Sequence, residues 1–180
     1  MNHAKRALLG VVVLGLAGCA AKVVRAPDTP GTQAAVAVPL QSKARLVLNV
    51  AGAPQAAQSK DWPAFRAEWQ TAFQAAAEAA GVAFVWQDGP VKPLGQAGTL
   101  LAVDVADYRY LSTGARYGLG IASGNAYVNA RLRYLSLADG RLFGEQSVNT
   151  SSSAWEGIFS AMTDKQIQAI ARDVMRDFQR

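Results

Sequence analysis

The 180-residue chain has one cysteine, Cys19, one histidine, His3, and only 17% charged side chains. One cysteine excludes an internal disulfide, so packing must hold the fold. With its only imidazole at the amino end, the body of the chain lacks the usual general base for a Ser-His nucleophile, and the ligands for a zinc site are too few. The sequence therefore points to no catalytic triad, no metal and no cofactor. Long uncharged runs are scarce too: the amino-terminal one, residues 7–21, counts 15 residues. As a helix it would reach about 22 Å, short of the roughly 30 Å hydrocarbon core, which makes it a poor membrane span. What the chain does have is apolar residues, 51% of the total, enough for one modest core and too many for a disordered chain.

Lys5 and Arg6 precede that run, which leads into Leu16-Ala17-Gly18-Cys19 with small residues beside the cysteine. This is the layout of a secretory signal. The four residues resemble the lipobox of bacterial lipoproteins. The resemblance implies that the peptidase recognises Leu16, Ala17 and Gly18, that the Cys19 sulfur carries diacylglycerol, and that the new amine is acylated. The alternative is an ordinary signal peptide ending in a small apolar residue. Each buried acyl CH₂ contributes about 0.8 kcal/mol, so two or three chains would hold the protein on a membrane without a spanning helix. Ala20 stands where an Asp commonly marks inner-membrane retention, so the resemblance implies an outer-membrane protein facing the periplasm. Of 18 basic residues, Lys5 and Arg6 lie in the leader, leaving 16 against 13 acidic ones and no histidine. Such a mild excess, without a dense cationic run, excludes nucleic acid as a partner.

The expected organisation is a signal peptide over residues 1–18, a lipidated cysteine and flexible tether over 19–43, and a single α+β domain over 44–180. The tether is rich in Ala, Thr and Gln and broken by Pro27, Pro30, Gly31 and Pro39. As a coil it would span roughly 25–29 Å and hold the domain clear of lipid headgroups; the alternative is an edge strand over 34–38. Arg45 to Val50 suits a first strand. Asp61 can cap the next helix, whose Phe65, Trp69, Phe73, Ala76 and Ala80 recur at helical spacing as far as Gly81. This aromatic stripe reads as core.

Strands are predicted over 82–86, 99–111, 126–137 and 142–150. In the second of these Leu101, Val103 and Val105 alternate against Ala102, Asp104, Ala106, Tyr108 and Tyr110. Asp104 and Asp107 then leave opposite faces and cannot form a catalytic pair unless a bulge intervenes. Val128, Ala130, Leu132 and Tyr134 oppose Asn129, Arg131 and Arg133 in the next strand, and Ala138-Asp139-Gly140 turns into the last. The glycine-rich stretch 112–125 departs from a dinucleotide loop and leads to a strand, so it reads as a long hairpin connection. Thr163 with Gln166 forms a capping box for a closing helix carrying Ile167, Ile170, Ala171, Val174 and Phe178 on one stripe. These elements predict a two-layer α+β sandwich, a mixed or antiparallel sheet of about five strands with two amphipathic helices on one face.

From about Leu100 onward the chain carries Ala-Asp-Tyr-Arg-Tyr, Asn-Ala-Tyr-Val-Asn-Ala-Arg-Leu-Arg-Tyr-Leu and Ser-Ser-Ser-Ala-Trp-Glu-Gly-Ile-Phe before the closing helix. In these it resembles the uncharacterised bacterial envelope lipoprotein family called domain of unknown function forty-four-ten. The resemblance implies an α/β sandwich at the envelope and brings no catalytic residues. Arg and Tyr are over-represented at contacts, so Tyr108, Arg109, Tyr110, Arg131 and Arg133 form a candidate partner interface. Trp155 is either a plug over the sheet end or an exposed anchor for a partner. The expectation is a non-enzymatic, lipid-anchored protein whose domain binds an envelope protein or cell-wall component; the alternative is a carboxylate-dependent hydrolase of cell-wall glycan.

Overall fold

Six strands form one mixed sheet in the order β1-β6-β5-β4-β2-β3 in the computed structural model, which describes residues 22–25, 36–112, 126–151 and 162–180. The strands are β1 (Lys22–Arg25), β2 (Arg45–Gly52), β3 (Ala83–Trp86), β4 (Thr99–Arg109), β5 (Tyr127–Ser136) and β6 (Leu142–Ser151). The helices are the single turn α1 (Pro54–Ala57), then α2 (Trp62–Ala79) and α3 (Thr163–Gln179). The predicted two-layer α+β architecture is present, with α2 and α3 packed against each other and against one face of the sheet.

The alternation read from the sequence builds the main core. Leu101, Val103 and Val105 of β4 and Val128, Ala130 and Leu132 of β5 meet Phe65, Trp69 and Phe73 of α2 and Ile167, Ile170 and Val174 of α3. Pro63 sits in the first turn of α2, where its missing N–H costs nothing. The helix stops at Gly81, whose φ of +68° lets Val82 N–H reach the Ala77 carbonyl at 2.9 Å and Gly81 N–H reach Glu78 at 3.1 Å.

A smaller cluster, Val47, Leu100, Ala102, Leu135 and Leu137, lies on the other face. Topology explains its cover. β3 and β4 both run parallel to β2 on opposite sides of it, so the connection 87–98 must cross β2 over the face the helices leave free. Val91 packs on the cluster, Leu94 N–H donates to the Leu137 carbonyl at 2.8 Å, and the buried Asn49 amide donates to the carbonyls of Gln87 and Gly89. Part of this face is thereby closed and the rest stays open.

Three expectations need correction. Part of the stretch read as tether, 19–43, is built into the domain. Lys22–Arg25 pairs antiparallel with β6, covering ladder groups that an edge strand would otherwise expose, while Val38 is buried and Leu40–Ser42 forms a 3-10 turn. Neither helix is capped as expected. Asp61 makes no side-chain cap, and Thr163 and Gln166 turn their side chains outward from α3. Thr163 Oγ1 accepts from Leu111 N–H at 2.8 Å, and Gln166 bridges Thr150 and the Ala126 carbonyl at 2.8 Å each. Tying α3 to the sheet outweighs a local cap because both side chains are fully buried.

The third correction is a β-bulge at Ala106, between Val105 and Asp107. One extra residue reverses the alternation. Asp107 then pairs with Asn129 and Tyr108 with Val128, which puts Asp104 and Asp107 on one face and sends Tyr108 to the other.

Candidate functional site in the open sheet face

Beyond the cover of 87–98, the helix-free face holds a groove of about 600 Å³ running across β2, β4, β5 and β6. Register fixes its walls. Ala51, Asp104, Arg131 and Ser147 are direct neighbours on successive strands, and Asp107, Asn129 and Asn149 form the next row. Ala51, Gly52 and Ala106 give the groove a small-residue floor at one side. Gly52 must stay small: a Cβ there would come within 2.8 Å of the Trp62 ring and 3.2 Å of the Ala57 nitrogen.

Asp104 lines the groove, Asp107 stands in the next row of the same sheet face, and both are engaged. Asp104 Oδ2 accepts from Arg133 Nε at 3.0 Å and Nη2 at 2.9 Å. Both side chains are about a third or more exposed, so this pair contributes less than about 1 kcal/mol to stability. Asp107 accepts from the Tyr127 hydroxyl at 2.8 Å and from Tyr108 N–H at 2.8 Å. The bond to Asp107 pushes the Tyr127 hydroxyl pKa up, because the phenolate would lose that donor and face a carboxylate.

Arg131 is different. It stands directly opposite Asp104, yet the aspartate turns diagonally to Arg133, so the exposed Arg131 has no ion-pair partner among the described residues. The groove therefore offers an unpaired guanidinium, the amides of Asn129 and Asn149 and the Ser147 hydroxyl over a small-residue floor. That set suits an extended ligand carrying carbonyl or carboxylate oxygens.

The candidate interface is thus split by the bulge. Arg109, Arg131 and Arg133 share the helix-free face by register, whereas Tyr108 and Tyr110 pack against the helix-side core. The Tyr108 ring stacks on Phe65 at 4.0 Å and lies 5.9 Å from Trp62. Tyr110 lines a small cavity of about 110 Å³ with Glu68 and Asp164. Its pKa is raised by burial and by the carboxylates of Glu68, Asp61 and Asp164. Cys19, Leu16, Ala17, Gly18, Trp155 and most of the stretch 112–125 lie outside the described residues. Sequence reasoning missed Ser147 and Asn149; the alternation of Glu145, Ser147 and Asn149 against Gln146, Val148 and Thr150 was the available signal.

No group of three or more metal-ligating side chains occurs among the described residues, and no described helix is long and apolar enough to cross a membrane. No family model and no curated protein matches the chain. Among solved structures it is similar to the PelC dodecamer from Paraburkholderia phytofirmans, at 13% identity and a TM-score of 0.52 over 82% of this chain and 95% of that one. A form of that dodecamer carrying a single Leu-to-Met substitution gives 12% identity and 0.51 over the same shares. The Xanthomonas campestris protein XCC0632 is 15% identical over 89% of this chain and 95% of its own, with a TM-score of 0.48. At these identities the likeness to PelC establishes a shared fold.

Proposed function

We propose that this chain is a lipid-anchored, non-enzymatic protein of the cell envelope, acylated at Cys19 and facing the periplasm from the outer membrane. Its helix-free sheet face binds another envelope component. The observation that carries the binding reading is the groove itself, whose Arg131 has no ion-pair partner among the described residues while the neighbouring Asp104 is committed to Arg133. Leu16, Ala17 and Gly18 direct the cleavage, and Cys19 carries the lipid.

Two measurements test this. Cys19→Ser should release the protein from membranes; continued sedimentation with membranes counts against acylation. A photocrosslinking residue at Asn149 should capture one defined envelope component, and Ala51→Trp, which fills the groove floor, should abolish that capture while leaving the melting temperature near wild type. Capture unaffected by the Trp would move the interface elsewhere.

A second reading, hydrolysis of cell-wall glycan, is favoured by the bulge, which places Asp104 and Asp107 on one face. Against it, each carboxylate already has a tight protein partner. Peptidoglycan turnover by the purified protein that disappears in Asp104→Asn or Asp107→Asn would reverse the ranking.

A further inference from the structure

Once Lys22 is fixed in the sheet, the link between Cys19 and the folded domain shrinks to Ala20 and Ala21, three Cα–Cα steps from the cysteine to Lys22. Fully extended, three such steps reach no more than about 11 Å, compared with roughly 25–29 Å for the 24-residue coil expected from composition. A domain held this closely cannot stand clear of the lipid surface or turn freely above it. We infer that one particular end of the sheet, the end at which β1 starts, rests against phospholipid headgroups. The inference depends on the proposed acylation of Cys19.

The register identifies that end. Lys22 pairs with Ser151, the last residue of β6, so the anchor emerges where β6 finishes and β5 begins. β2 and β4 finish there as well, at Gly52 and Arg109. α3 starts at the same end, because Thr163 N–H donates to the Leu111 carbonyl at 3.2 Å, and α2 starts there through the Trp62–Tyr108 contact. The opposite end carries Leu142, the first residue of β6, and the carboxy-terminal turn of α3. The ten residues of β6 extend about 33 Å and the 17 of α3 about 25 Å. Those distances exceed the reach of the link, so the link confines the near end to the headgroup layer and leaves the far end free to stand beyond it.

The groove belongs to the near end, since its residues on β2 and β4 are within a few positions of Gly52 and Arg109. A component bound there sits beside the membrane surface.

The test uses the full-length protein, purified from membranes and reconstituted in phospholipid vesicles bearing nitroxide quenchers on their headgroups. A fluorescent amino acid replaces Lys60, in the exposed turn before α2, or Gln179, at the exposed end of α3. The Lys60 label should be quenched several-fold more than the Gln179 label. A flexible Gly/Ser insert of about a dozen residues between Ala21 and Lys22 should remove most of that contrast. Equal quenching at the two sites, or stronger quenching at Gln179, overturns the inference. If the protein does not enter vesicles, acylation has failed. The Cys19 thiol is then joined chemically to a maleimide phospholipid, and the same contrast decides the orientation by itself.

Discussion

Replacing Gln166 with Met tests whether the buried polar bridge joins α3 to the sheet. The residue is fully buried; its amide donates to the Ala126 carbonyl at 2.8 Å and its carbonyl accepts from the Thr150 hydroxyl at 2.8 Å. Thr150 Oγ1 in turn accepts from Val128 N–H at 2.9 Å, so three segments depend on one side chain. Met has nearly the same length and no hydrogen-bonding equivalent. The substitution leaves two buried partners unsatisfied, each costing about 1–3 kcal/mol, partly offset by the thioether's own transfer gain. The net loss is about 2–4 kcal/mol, which for a domain of this size lowers Tm by roughly 5–12 °C. Urea denaturation should show a lower midpoint at unchanged slope. In a Thr150→Val background the penalty of Gln166→Met should shrink by about 1 kcal/mol, because one abandoned partner is already gone. A loss under about 0.5 kcal/mol, or strict additivity of the two changes, would refute the bridge.

Glu68 offers a pH test. Burial, then the charge of Asp164, raises its pKa, with Tyr110 lining the same cavity and Lys165 beside Asp164. A carboxyl whose folded pKa lies above its unfolded one adds stability at low pH and loses that contribution as pH rises through the folded value. Glu68→Gln should therefore match wild type in acid and melt higher by pH 7; a variant that melts lower at pH 7 contradicts this reading. Gly98→Ala should cost about 1–3 kcal/mol in chemical denaturation, since φ is +149° and the new Cβ would meet a Leu137 methyl at 2.9 Å and the Arg45 carbonyl at 3.2 Å. Asp104→Asn should change stability by less than about 1 kcal/mol. By freeing Arg133 it should nevertheless alter crosslinking from Asn149, which is the readout that separates a groove role from a structural one.

The elements with strict periodicity could be read directly. Val128, Ala130 and Leu132 are half-buried strand alternation and nothing else, and Ile167, Ile170 and Val174 leave a helix no other stripe to bury. What could not be read was decided by partners distant in sequence. Lys22–Arg25 carries no alternation long enough to announce a strand; it is ordered by the free edge of β6, about 125 residues further on. Thr163 and Gln166 match a capping pattern locally, but Leu111, Ala126 and Thr150 compete for the same side chains and win because the site is dry. The bulge is the clearest case. Ala106 fits the pleat as well as any small residue, and only pairing with β5 shows that it is the extra one.

That single residue sorts the chemistry of the domain. Without it Tyr108 would share the open face with Arg131, and Asp107 would be driven into the helix-side core beside Phe65, an uncompensated buried carboxylate. With it, the aromatic ring joins the Phe65 and Trp62 stack while Asp107 joins Asp104 on the open face. Closing the bulge by deleting Ala106 should therefore damage fold and groove together. Filling the groove with Ala51→Trp should damage binding alone, because Ala51 is exposed and belongs to neither core cluster. If Ala51→Trp instead lowered stability as much as the deletion, the open face would be part of the core and no partner would be needed to cover it.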